Sequence, residues 1–117
     1  MSERNWNLFI MDMVESIEKI ENYVSNLSYE DFLLDWKTKD AVVRNLEIIG
    51  EAANRIPEEI RIKYDDIPWS QVVGLRHRLI HGYFVVDYEI VWHIVTNELP
   101  DLKIKIKRIL DKENSAK

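Results

Sequence analysis

The chain contains no cysteine, so neither a disulfide framework nor a thiolate metal centre can stabilise it or carry its chemistry. Glycine and proline number three each among 117 residues. So few turn-formers argue against a many-stranded β fold and favour long helices. No apolar run approaches the roughly 20 residues that a membrane span needs. The start, Met1-Ser2-Glu3-Arg4-Asn5-Trp6, lacks the basic segment and apolar stretch of a signal peptide. A cytoplasmic location and no membrane partner are therefore expected. Positive charge is also short. A formal net charge of −5 argues against broad nucleic-acid binding, which depends on Lys and Arg neutralising phosphates. Any RNA contact is confined to a small basic patch, or to a cleft built where two chains meet.

What is present is globular: 46% apolar and 32% charged residues, in a length that suits one domain with a modest core. The folded domain is expected over 1–112, with 113–117 as a disordered tail. Trp6, Ile10, Met13, Ile17, Ile20, Val24 and Leu27 recur at alternating steps of 4 and 3, the stripe of a first amphipathic helix. Ser28 and Asp31 then form a capping signature for a short turn carrying Phe32 and Leu33. A second helix is expected over 35–56, with Val42, Leu46, Ile49, Ala53 and Ile56 on its apolar face. Asp40, Arg44, Glu47, Glu51 and Arg55 make a charged stripe on the same helix. Gly50 lies between the stripes, where a missing side chain permits close helix approach, and Pro57 marks the stop.

A polar link with Arg61, Lys63, Asp65 and Asp66 follows. Pro68 opens a third helix that carries Val72, Leu75 and Leu79 and ends near Gly82 in a left-handed cap. Phe84, Val85 and Val86 lead to Asp87, a good N-cap for a fourth helix over 88–99. That helix is apolar on most sides and is expected to be the central, most buried element. Pro100 kinks or restarts it, and Leu102, Ile106 and Ile109 continue the helical spacing. The expected fold is all-α, an up-and-down bundle of four to five helices.

Two of the three histidines, His77 and His81, fall at the end of the third helix with Arg76, Arg78 and Tyr83 beside them. This set suits phosphodiester cleavage. A histidine, with its ordinary pKa of about 6.5, can take a proton from a ribose 2′-hydroxyl and later return one. An arginine offers a planar fork that grips phosphate and balances charge developing on its oxygens. Arg76 and His81 are five apart, roughly 140° around a regular helix of about 3.6 residues per turn. They converge only if the helix ends before His81 or if a second subunit completes the site. His77 and His81 also have metal-ligand spacing, but no third ligand is evident and the neighbouring guanidinium repels a cation, so no metal is expected.

At these residues the chain resembles the HEPN superfamily, and more closely its HepT-like ribonuclease toxins, whose motif is Arg-x4-His-x-Tyr. Arg76, His81 and Tyr83 match it residue for residue. The resemblance extends over AVVRNLEIIGEAA at 41–53, IPW at 67–69, LIHGYFVVD at 79–87, Val91-Trp92 and Leu99-Pro100. It implies a helical homodimer whose paired Arg76 and His81 line a cleft between subunits and cut RNA, not DNA, without metal. It implies too that an MntA-like minimal nucleotidyltransferase antitoxin silences the toxin by adding AMP to Tyr83. His77 stands where close relatives often carry Asn, and serves as a polar accessory.

Two features have simpler readings. The stripe on the second helix is either a solvated face with helix ion pairs, or places Arg44, Glu47 and Glu51 along the cleft behind Arg76 and His81. Trp6, Trp36, Trp69 and Trp92 are expected as core or interface anchors rather than base-stacking platforms. The alternative function is a non-catalytic nucleotide- or partner-binding subunit of a minimal nucleotidyltransferase.

Overall fold

The structure, a computed structural model, describes residues 6–83 and 85–115. The expectations placed on Met1 to Asn5, on Phe84 and on the last two residues of the tail lie outside them. The fold is all-α apart from one tiny hairpin. The first helix, α1 (Trp6–Val24), buries Ile10, Met13, Ile17 and Ile20 completely, as its stripe requires. The short α2 (Tyr29–Leu34) starts on the expected capping box: the Ser28 hydroxyl accepts from the Asp31 N–H, and the Asp31 carboxylate accepts from the Ser28 N–H. Helix α3 (Trp36–Asn54) begins where the Asp35 carboxylate takes the Thr38 N–H. It packs chiefly along α1 and buries Val42, Leu46, Ile49 and Ala53.

The α1–α3 pair, rather than the fourth helix, is therefore the heart of the core. The expected polar link is instead partly helical, as α4 (Glu58–Lys63). Its two glutamates occupy the first turn and Arg61 and Lys63 the last, the order that suits the helix dipole. The link also hides Tyr64 and Ile67, aperiodic apolar residues that a search for stripes passes over.

The third helix is not one element. It divides into α5 (Trp69–Val73) and α6 (Leu75–Leu79), interrupted at Gly74, a poor helix former whose ψ of 10° turns the chain. Leu79 ends it three residues before Gly82. The chain then enters a hairpin of β1 (Ile80–His81) and β2 (Val85–Val86), paired antiparallel with Ile80 opposite Val86 and His81 opposite Val85. Gly82 does adopt the left-handed conformation, at φ +64°, but as a hairpin turn and not as a helix cap.

Asp87 caps α7 (Tyr88–His93) through the Ile90 N–H. The helix continues through a five-residue π segment, Ile94–Glu98, into α8 (Leu99–Ser115). Pro100 lies just past the π segment, and the helix runs on through it rather than ending there. Val91, Ile94 and Val95 are buried, while Ile90 and Trp92 are only half-buried. The last helix runs to Ser115, and its Glu113 accepts from Lys63 Nζ (3.0 Å) and from the Tyr64 hydroxyl. Among the described residues no helix is long and apolar enough to cross a membrane.

Candidate active site at the junction of α6 and the hairpin

Arg76 and His77 project from α6, one turn of helix, and both are exposed. Leu75 and Leu79 bury the opposite side of that turn, which holds the polar side outward. Arg76 and His77 line an open groove of about 690 Å³ between α3 and the α5–α6 segment, together with Glu47, Glu51 and Trp69. Gly50 forms its floor; a Cβ there would stand 3.1 Å from the Val72 carbonyl oxygen, so its absence permits the close approach of α3 and α5. The charged stripe is divided between that groove and the open surface. Glu47 and Glu51 face the groove of Arg76, and Arg44 makes an exposed ion pair with Glu51 at 3.7 Å.

His81 lies elsewhere. Because α6 stops at Leu79, the histidine projects from a strand and lines two shallow grooves, one with Arg78, Glu89, Ile90 and His93, the other with Tyr29, Val85 and Asp87. Its Nε2 stands 3.6 Å from Asp87 Oδ2. Within one chain, then, Arg76 and His81 sit at the same junction but open into different grooves. Tyr83, two residues beyond His81 in the turn, is 89% exposed. Of the tryptophans, Trp69 is buried and bonded to the Tyr64 carbonyl, and Trp92 packs on Phe32 at 5.0 Å between centroids. Trp36, by contrast, is 78% exposed.

A model of the family described as "HepT-like: Ribonuclease HepT-like" matches residues 13–109, which include all three grooves. The chain belongs to the HepT-like ribonuclease family. It is 42% identical over 110 residues to "Putative RNase MJ1216" of Methanocaldococcus jannaschii, an alignment covering 94% of this chain and 91% of that one. It is 40% identical over 107 residues to "Probable ribonuclease HepT" of Thermococcus cleftensis, covering 92% and 97% respectively. No solved structure matches it.

In this HepT-like chain the best-formed polar contact is one that helical periodicity did not reveal. Arg78 grips Glu98 with both terminal guanidinium nitrogens, at 2.8 and 2.6 Å, and Glu98 also lies 3.6 Å from His93 Nε2. The hydrogen bonds from Arg78 hold the Glu98 carboxyl below the usual carboxylate range, against the opposing effect of its partial burial, with a smaller contribution from the Arg78 charge. The sequence separation of 20 residues hides this pair, and Glu98 is the last residue of the π segment. The pair ties the end of α6, and so the turn bearing Arg76, to the α7–α8 rod. Among the described residues no three His, Asp or Glu side chains gather as a metal-binding group.

Proposed function

We propose that this chain is a metal-independent endoribonuclease toxin in which Arg76 and His81 carry the chemistry. The observation that supports this best is the placement of an exposed arginine and an exposed histidine on either side of one sharp junction, inside an otherwise acidic protein. His81 takes the proton from a ribose 2′-hydroxyl, whose oxygen attacks phosphorus as the bond to the 5′-oxygen breaks. The protonated ring returns a proton to that leaving oxygen. Arg76 balances the charge that develops on the non-bridging oxygens, with His77, Glu47 and Glu51 in its groove and Arg44 reaching Glu51. Since the two residues open into different grooves of one chain, the working unit is a homodimer in which Arg76 and His81 of two copies line a shared cleft.

The natural off-switch in this proposal is AMP addition to the Tyr83 hydroxyl by an MntA-like minimal nucleotidyltransferase, and the high exposure of that ring suits a modification target. The setting is the cytoplasm. The test is cleavage of a single-stranded RNA in the presence of a chelator. The wild type should yield 2′,3′-cyclic phosphate and 5′-hydroxyl ends, and Arg76→Ala and His81→Ala should lose about 10²–10⁴ in rate. Cleavage that stops when divalent ions are removed, or that both variants retain, overturns the reading. Mass spectrometry after incubation with the nucleotidyltransferase and ATP should place AMP on Tyr83 and on no other residue.

The separation of the grooves also favours a second reading, a non-catalytic subunit that holds a nucleotide or docks the nucleotidyltransferase. Binding without any cleavage, and harmless expression of the chain alone, would support it.

A further inference from the structure

We infer that Asp87 is a positioning residue for His81, with one carboxylate oxygen fixing helix α7 and the other fixing the histidine ring. Its kinetic consequence rests on the proposed ribonuclease reading; its geometric consequence does not.

The side chain of Asp87 is divided between two tasks. Oδ1 accepts the Ile90 N–H at 3.2 Å, the N-cap of α7. Oδ2 points the other way and lies 3.6 Å from His81 Nε2. The backbone leaves little freedom for either group to drift. The Asp87 N–H donates to the Leu79 carbonyl at 2.8 Å, joining the start of α7 to the end of α6. Between those two points the hairpin holds His81 opposite Val85. A carboxylate clamped at one oxygen and at its own backbone is a fixed reference for the ring beside it. At 3.6 Å the contact is longer than a hydrogen bond, and such contacts at reactive histidines commonly shorten when substrate is bound.

The other polar groups around His81 do not compete for this task. Arg78, on α6, is held by Glu98, and His93, on α7, has its Nε2 3.6 Å from the same glutamate. Glu89 lines both grooves of His81, and Tyr29 of α2 and Tyr88 line the one that Asp87 shares. Among the described residues Asp87 is the carboxylate that stands against His81, with Oδ2 at 3.6 Å from Nε2. It therefore selects the tautomer with the proton on Nε2, directed at Oδ2, and leaves Nδ1 as the nitrogen that meets the 2′-hydroxyl. The same arrangement explains why a cap residue stands directly after β2: the strand delivers the carboxylate to the histidine, and the helix keeps it there.

Two substitutions separate the tasks, because Ser, Asn and Asp are comparable N-caps. Asp87→Ser keeps one cap oxygen and removes the group facing His81. Asp87→Asn keeps the cap and presents an amide donor to Nε2, which favours the opposite tautomer. Both should leave helix content and thermal unfolding close to wild type. Long-range proton–nitrogen NMR of the purified protein should show the Nε2–H form of His81 in the wild type, a mixture in Asp87→Ser and the Nδ1–H form in Asp87→Asn. In RNA cleavage, kcat should fall about ten-fold in Asp87→Ser and further in Asp87→Asn with KM unchanged, part of the ~10²–10⁴ that a placed acid–base group supplies. An unchanged tautomer in both variants overturns the inference, as does a wild-type kcat in both when His81→Ala is inactive. If His81→Ala cleaves as well as the wild type, the ribonuclease reading falls, and the tautomer measurement alone then decides the role of Asp87.

Discussion

Replacing Glu98 by Gln tests whether the Arg78–Glu98 pair holds the turn that bears Arg76 in place. The substitution preserves volume, removes the charge and turns an amide donor toward a guanidinium that can only donate. Hydrogen bonds to a charged group contribute about 1.5–3 kcal/mol when sheltered. Here the Arg78 and Glu98 side chains keep 31% and 34% of their exposure, so solvent screening lowers the figure to about 1–2 kcal/mol. With an unfolding entropy of about 2.1 cal/mol/K per residue, that loss corresponds to a fall in Tm of roughly 4–8 °C for a chain of this length. The pH dependence gives a second, independent mark. The Glu98 carboxyl is held low in the folded state, foremost by the Arg78 hydrogen bonds. The stabilisation is therefore complete above the unfolded value of about 4.3 and is lost as pH falls through the lower folded value. Circular-dichroism melts of both proteins at one fixed concentration should show the full gap at neutral pH and a narrowing gap on acidification. Equal melting temperatures at neutral pH, or a gap that persists unchanged in acid, would refute the reasoning.

Three further substitutions probe the frame around the site. Gly50→Val places a branched side chain where a Cβ alone would already crowd the Val72 carbonyl oxygen at 3.1 Å, and should cost about 1–3 kcal/mol in urea unfolding while opening the groove of Arg76. Phe32→Ala removes a fully buried ring wedged between Trp92 and Tyr88, and should cost about 3–5 kcal/mol in the same assay. Ser28→Ala breaks the capping box of α2 and should cost about 1 kcal/mol, with no effect on RNA cleavage per folded molecule.

The sequence by itself determined the long amphipathic helices, their caps and the family to which the chain belongs. Stripes such as Ile10-Met13-Ile17-Ile20 and Val42-Leu46-Ile49-Ala53 are local periodicities. A helix that carries one has a single way to bury it, so α1 and α3 appear where the pattern places them. The caps at Ser28 and Asp87 were equally legible, since each satisfies an N–H only three residues away. The apolar residues of the 57–68 link were not, because Tyr64 and Ile67 follow no period, and Tyr64 is fixed in part by Glu113, 49 residues away. Only the tertiary structure decided how the segment from Arg76 to Tyr83 is cut up. Helix propensity favours continuing past Leu79. Yet the Leu79 carbonyl bonds to the Asp87 N–H and Ile80 pairs with Val86, and these contacts trade one turn of helix for a hairpin. That exchange places His81 beside Asp87 and away from the groove of Arg76. The Arg78–Glu98 clamp, between residues 20 apart, was likewise beyond the reach of any local pattern.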